Sequence, residues 1–426
     1  MSADWDILFP MENLHIADPE VAAVITRELQ RQSNTLGLIA SENHVSLPVL
    51  QAMGTVLTDK YAEGYPRRRY YCGNENMDAV EDLCIERAKA LFGAEYVNVQ
   101  PHSGTNANLA VYLAALKRGD KIMGMDLAHG GHLSHGKDKN LSGMMFSVVH
   151  YGVEPGTERM DMDRVRETAL RERPAMLVCG ASAYPRTIDF GAFGAIAAEV
   201  GCPLLSDIAH IAGLVIGGRH PDPVPHSDFV TTTNHKTLRG PRGGIILARA
   251  KWGKALDAAV FPGIQGGPLM HVIAAKAVAF REAQQPAFRD YIDAIIANAR
   301  AMADAIQERG WRLVSGGTDN HLMLIDLRSR LPELTGRAAA TRLAEAGMIV
   351  NWNLIPFDSR PAKQTSGIRL GTPALTTRGM NTGHMKTVAG WIDQVLMAGD
   401  DATVIEKVHA QVLDLCRQHP VPNYNL

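Results

Sequence analysis

The chain has little cysteine and uses it without pattern. Cys72, Cys84, Cys179, Cys202 and Cys416 are the only five in 426 residues, and none belongs to a Cys-x-x-Cys pair. Neither a disulfide framework nor a zinc ribbon is indicated, and a reducing, cytoplasmic setting is the expectation. Net charge is equally scarce: 43 Lys and Arg stand against 45 Asp and Glu, leaving −2. Such a balance offers no basic field to attract nucleic acid or anionic lipid, so neither partner is expected. No apolar run approaches the ~18 residues of a membrane span. The opening Met1-Ser2-Ala3-Asp4-Trp5-Asp6 lacks the basic and apolar regions of a signal peptide. Internal repeats and low-complexity segments are missing as well.

What the chain does have is alternation. Hydrophobic residues make up 46% and charged residues 21%, the balance of a soluble globular protein, and the length suits roughly two or three domains. Residues 1–30 read as an arm and a first helix. Short apolar runs then alternate with amphipathic stretches as far as Leu247. Strands are expected at Glu95–Gln100, Lys121–Met125, Ala175–Cys179, Pro203–Ser206 and Phe229–Thr232, with a helix over Asn106–Arg118. This repetition predicts an α/β fold, with a large domain over 31–285 built on a mostly parallel, doubly wound sheet. Helices over Met270–Gln284 and Phe288–Arg309 follow. A smaller C-terminal α+β domain is expected over 286–426, with strands at Leu322–Ile325 and around Ile349–Val350.

Chemistry concentrates at the ends of these strands. Lys236 follows the apolar Phe229–Thr232 run and precedes the glycine-rich Arg239-Gly240-Pro241-Arg242-Gly243-Gly244. A lysine that forms a Schiff base must be desolvated enough to lose its proton near neutral pH. By position alone a loop lysine is usually solvated, but Asp207 changes the reading. It stands 29 residues upstream, at the end of another strand, where a carboxylate can keep a pyridine-type cofactor protonated. Alone, Asp207 would serve equally well as a helix N-cap.

Pro101-His102-Ser103-Gly104-Thr105-Asn106 lies between a strand and a helix, where free N–H groups favour an anion; a capped turn without ligand would look the same locally. Phe261 to Pro268 is a second glycine-rich turn. The cluster His129-Gly130-Gly131-His132-Leu133-Ser134-His135 completes no known metal spacing, and no metal is expected. His132 stacked on an aromatic cofactor is the better reading. Arg369, between Ile368 and Leu370 in a glycine-flanked stretch, suits a forked grip on a carboxylate.

Together these segments resemble the serine hydroxymethyltransferase family of fold-type I pyridoxal 5'-phosphate enzymes. The resemblance runs on Ile39-Ala40-Ser41-Glu42-Asn43, Lys60-Tyr61-Ala62-Glu63-Gly64-Tyr65-Pro66, Val99 to Gly104, Leu127 to Leu133, His235 to Gly244 and Ser315 to His321, in that order. It implies Lys236 as the cofactor-bearing lysine, with His235 beside it, Asp207 at the pyridine nitrogen and His132 on the ring. Ser103, Gly104 and Thr105 would hold the phosphate, joined by Gly266 and Gly267 from a neighbouring subunit. His210 and Ser182 would lie near the phenolic oxygen. Ser41 and Arg369 would bind the substrate carboxylate, while Tyr61, Glu63 and Tyr71 would come from the partner of a homodimer, or of a tetramer. Glu63 would handle the proton of the substrate hydroxyl. Tyr70, Leu127, Gly131, Leu133 and Asn353, with Glu63, would contact folate. The implied reaction transfers a one-carbon unit to tetrahydrofolate from L-serine, giving glycine, or from 2-methylserine, giving D-alanine. A folate-independent aldolase acting on similar β-hydroxy amino acids is the alternative.

The chain departs from the family pattern around its pockets. Cys72-Gly73-Asn74 follows Tyr70-Tyr71 where two glycines are usual, and His44 replaces an aromatic residue. Ala362-Lys363 stands for a usual Pro-Phe, and Phe357 for a small or polar residue. The resemblance therefore implies an intact catalytic set inside altered walls.

Overall fold

Runs such as Met176-Leu177-Val178-Cys179-Gly180 offer almost nothing to solvent, and in the computed structural model this strand is buried along its whole length, as befits a strand at the centre of a covered sheet. The structure describes residues 12–422. The chain divides into two units: Pro48–Asp293 forms one, and residues up to Leu47 join those from Ala294 onward in the other.

Seven strands form the sheet of the Pro48–Asp293 unit: β1 (Tyr96–Asn98), β2 (Lys121–Met125), β3 (Ser147–Tyr151), β4 (Met176–Gly180), β5 (Leu204–Asp207), β6 (Phe229–Thr233) and β7 (Gly244–Ala248). Their order is β1-β7-β6-β5-β4-β2-β3. Only β7 runs against the rest, pairing antiparallel with both β1 and β6. The carboxyl ends of β1, β2, β5 and β6 therefore reach the same edge of the sheet, together with the start of β7. Ligands of open α/β sheets bind at such an edge.

Local chemistry sets the helix ends. The helix Gly104–Ala115 begins two residues before the spacing suggests, because extended Ser103 caps it, its Oγ accepting from Asn106 N at 3.2 Å. It stops at Leu116, whose backbone is extended. The helix Met270–Ala283 is buried along one broad face, from Met270 through Phe280 to Ala283.

The other unit carries a four-stranded antiparallel sheet in the order Arg312–Leu313, Leu322–Asp326, Gly367–Gly371, Asn351–Asn353. The strand expected around Ile349–Val350 is split in two. Met348–Ile349 pairs in parallel with Leu36–Gly37, while Asn351–Asn353 pairs with Gly367–Gly371. Leu36, Leu38, Met323, Ile325, Ile368, Leu370, Val388 and Ile392 share one apolar core. Leu38 O accepts from Gly371 N at 2.8 Å, and a side chain at Gly371 would meet Ala40 Cα at 2.4 Å. Buried Arg378 donates to four carbonyls of this unit: Nε to His419 at 2.7 Å, Nη1 to Thr35 at 2.8 Å, and Nη2 to Cys416 at 3.2 Å and Ser33 at 3.3 Å. Among the described residues no helix is long and apolar enough to cross a membrane.

Candidate active site

Asp207 ends β5 and is the hub of the Pro48–Asp293 unit's polar edge. Its Oδ2 accepts from Asn108 Nδ2 at 2.8 Å and from His135 Nε2 at 2.9 Å, and its Oδ1 from Ala209 N at 3.0 Å. Burial pushes the carboxyl pKa up. The hydrogen bond and charge of His135, the charge that His132 takes on in acid and the Asn108 bond outweigh it, holding the group well below the ordinary range. The result is a nearly buried carboxylate that stays ionised.

The clamp around Asp207 is itself fixed. Asn108 accepts from Thr231 Oγ1 at 2.6 Å and donates to Ser134 Oγ at 2.9 Å, and Thr231 lies opposite Asp207 in the β5–β6 register. His132 Nδ1 accepts from Ser134 N at 3.2 Å and lies 2.7 Å from Ser134 Oγ. Burial, then the charge of His135, lowers the His132 pKa to about 4. The imidazole is therefore neutral at neutral pH, with its proton on Nε2. His132, His135 and Asp207 place three ligand-type atoms within 4.8 Å of one another. His135 must carry its proton on Nε2 to donate to the carboxylate, so that contact is a hydrogen bond that a metal would have to break.

Lys236 follows β6 and is 9% exposed. Its loop is closed by Arg239 N to Lys236 O at 3.1 Å and Gly240 N to Asn234 O at 2.6 Å. Thr237 ties it to the segment after Asp207, donating through Oγ1 to His210 O at 3.0 Å and accepting from Gly213 N at 3.0 Å. His210 is buried beside this clip. Burial, then the charges of Arg242 and Lys236, lowers the His235 pKa to about 3, so His235 is neutral. Ser182 joins the loop after β2, its N–H bonding Gly130 O at 2.7 Å.

The turn at Ser103–Thr105 is a backbone cradle. The first N–H groups of a helix have no intrahelical partner, and here the chain passes close. A Cβ at Gly244 would meet Ser103 O at 2.4 Å, and one at Gly104 would meet Thr233 Cγ2 at 2.8 Å. Backbone N–H groups at Gly104 and Thr105 for an anion, a carboxylate at Asp207 for a cationic ring nitrogen and an amine at Lys236 would suit a phosphorylated pyridine aldehyde.

A second group gathers around Glu63. A Cβ at Gly266 would lie 3.6 Å from Glu63 Oε1, and one at Gly267 would lie 3.1 Å from the Tyr61 ring. Tyr61 and Tyr71 pack edge to face, with centroids 5.6 Å apart. The charge of Glu63, then burial and a hydrogen bond to Glu63, raises the Tyr71 phenol. Tyr61, Tyr70 and Tyr71 are all exposed, and Tyr70 lies edge-on to Phe261 at 5.6 Å. Leu127 opens the turn Leu127–His129. Gly131 sits where a Cβ would strike Met125 O at 2.2 Å, and Leu133 is half exposed.

Ser41, Asn353 and Arg369 belong to the other unit. Arg369 lies on Gly367–Gly371, buried, and donates through Nε to Asn351 Oδ1 at 3.1 Å. Burial lowers its pKa to about 10 against the pull of Glu42, so the guanidinium remains charged. Half-buried Ser41 follows Ala40, the residue that packs on Gly371. Asn353 Nδ2 bonds Leu354 O at 2.6 Å. Among the altered positions, Cys72 is exposed and Phe357 adopts φ 58° with its ring exposed. Burial, then Arg378 and Arg31, lowers the His44 pKa to about 4.

Sequence reasoning missed Asn108, Ser134 and Thr231, and it gave His135 no role. Asn108 lies four positions beyond Gly104 on the same helix and Thr231 faces Asp207 across the β5–β6 register, so only the strand order brings them to the carboxylate. The serine hydroxymethyltransferase family model matches residues 14–392 of this chain.

Proposed function

The chain belongs to the serine hydroxymethyltransferase family, and from that membership we propose that it moves a hydroxymethyl carbon between L-serine and tetrahydrofolate at a site built on Lys236 and Asp207. Enzymes of this family have the fold-type I architecture, use pyridoxal 5'-phosphate and take tetrahydrofolate as cosubstrate. When bound, pyridoxal phosphate supplies the electron sink for the pair released as the bond between Cα and the hydroxymethyl carbon breaks.

The observation that carries this reading is the ionised Asp207, clamped by His135 and Asn108 on the strand next to the one that delivers Lys236. The carboxylate holds a ring nitrogen protonated, and the neutral His132 imidazole offers a flat face. Ser103, Gly104 and Thr105 take the phosphate through hydroxyl and backbone N–H donors. His210 and Ser182 would lie near the phenolic oxygen, and neutral His235 adds no competing charge beside Lys236. Arg369 and Ser41 grip the amino-acid carboxylate. Glu63 accepts the hydroxyl proton of serine as the bond opens and returns it in the reverse direction. Tyr70, Leu127, Gly131, Leu133 and Asn353, with Glu63, line the folate side.

The exposed rings of Tyr61 and Tyr71 around half-buried Glu63, beside Gly266 and Gly267, support a site shared between subunits, in a homodimer or a tetramer of two such pairs. The absence of any patterned cysteine supports a cytoplasmic setting.

The altered residues around Tyr71 and Phe357 make 2-methylserine the competing substrate. Turnover of L-serine and of 2-methylserine, each with and without tetrahydrofolate, tests the proposal. Folate-dependent conversion of L-serine to glycine, faster than conversion of 2-methylserine to D-alanine, is expected. Preference for 2-methylserine would reassign the substrate. Equal release of free formaldehyde without folate would replace the transferase reading with an aldolase.

A further inference from the structure

Lys276 lies on the helix Met270–Ala283 and is 1% exposed, a depth that lysine rarely reaches unpaired. Among the described residues no carboxylate meets its amine directly. Nζ instead donates to three backbone carbonyls: Val99 at 2.6 Å, Gly244 at 2.9 Å and Pro101 at 3.2 Å. An ammonium has three donors and no acceptor, so the tripod uses it completely. Burial lowers its pKa to about 8 while Cys84 and Glu81, on the helix Glu75–Phe92, pull the other way. The amine is therefore mainly protonated at neutral pH.

The three carbonyls are not a random set. Val99 and Pro101 form the exit of β1 into the Ser103 turn, and Gly244 opens the reversed strand β7 at the same edge. Gly244 N also donates to Pro101 O at 3.0 Å. Glycines clear the space on both sides. A Cβ at Gly243 would lie 2.6 Å from Lys276 Cε, and one at Gly244 would lie 2.4 Å from Ser103 O. Replacing the ammonium by an apolar end would take a donor from the carbonyls of Val99 and Gly244 and leave that of Pro101 with Gly244 N, at the point where the chain turns toward Gly104.

We infer that Lys276 is a positioning residue for the cofactor phosphate, acting through the carbonyls of Val99, Pro101 and Gly244 to fix the turn that carries Ser103, Gly104 and Thr105. This rests on the reading of that turn as the phosphate cradle. Lys236 and Lys276 thereby divide two tasks: one amine does chemistry, the other shapes backbone.

The test compares two probes on the full-length apoprotein: pyridoxal 5'-phosphate and pyridoxal, which lacks the phosphate. Each is titrated by visible absorption into wild type, Lys276→Met and Gly243→Ala, with circular dichroism confirming the fold. In Lys276→Met, the dissociation constant for pyridoxal 5'-phosphate should rise about 10- to 100-fold, the equivalent of one charge-assisted hydrogen bond, while that for pyridoxal stays within about twofold. Gly243→Ala crowds the lysine stem and should give the same split, more weakly. It serves as the test if Lys276→Met does not fold. Equal losses for both probes, or no loss for either, would overturn the inference and leave Lys276 a purely structural residue. A wild type that prefers pyridoxal 5'-phosphate no more than pyridoxal would overturn the assignment of the Ser103 turn itself.

Discussion

His135 and Asp207 are joined by a 2.9 Å hydrogen bond from Nε2 to Oδ2, although 72 positions separate them in the chain. The bond does two things at once. It fixes the carboxylate in space and, with Asn108, keeps it charged against the cost of burial.

Removing that donor should expose the carboxylate to its own burial. Asp207 has a folded pKa below its unfolded value of about 3.9, so its contribution to stability is present above that value and is lost as pH falls through the folded pKa. His135→Phe raises the folded pKa. Urea melts at stepped pH should then show lower stability at neutral pH and a shallower loss as pH falls below about 4 than in wild type. An unmoved acid limb would mean that His135 does not hold the charge.

Three histidines produce a second, milder window. His44 and His132 titrate at about 4 and His235 at about 3 in the folded chain, against about 6.5 in an unfolded one. Between those values the unfolded chain binds more protons, so stability falls as pH drops from about 6.5 toward 4. His44→Gln should flatten that slope without touching the residues assigned to the cofactor.

Lys236 should carry the cofactor alone. Borohydride reduction of the holoenzyme followed by peptide mapping is expected to leave the label on Lys236 and none on Lys276, whose amine is occupied by carbonyls. Label on any other lysine would undo the central assignment.

Glu63→Gln should spare cofactor binding and lower folate-dependent turnover about 100-fold, within the range of general acid–base catalysis. It carries a second readout. Because the Glu63 charge is the main influence raising the Tyr71 phenol, that phenol should titrate nearer its ordinary value in the variant. Full activity together with an unshifted tyrosine titration would free Glu63 of both roles.

Arg369→Lys keeps the charge but loses the forked geometry. The KM for serine should rise about 10- to 100-fold, the loss of a hydrogen bond to a charged group. Asn351→Ala, which removes only the partner of Nε, should have a smaller effect in the same direction.

Much of the frame was legible because burial writes itself into composition. Stretches such as Met176–Gly180 and Phe229–Thr233 are short, apolar or threonine-rich, and buried throughout. Lys236 and Asp207 could be picked out because each stands where such a stretch ends. What stayed hidden is contact across the sheet. Asn108 reaches Asp207 over 99 positions and Lys276 reaches Val99 over 177. No local period relates those pairs; only the strand order brings them together. The split of the Ile349–Val350 strand was hidden for a similar reason. Its two halves answer to different partners, Leu36–Gly37 and Gly367–Gly371.

Arg378 gives the Ala294-onward unit an unusual kind of closure. One guanidinium gathers carbonyls from Ser33 and Thr35 near the beginning of the described chain and from Cys416 and His419 near its other extremity. A circular permutant that splices those two stretches together would leave this knot intact. Trimming the protein back past either Thr35 or Cys416 would instead strand the same buried cation, so truncations from opposite sides should fail in the same way.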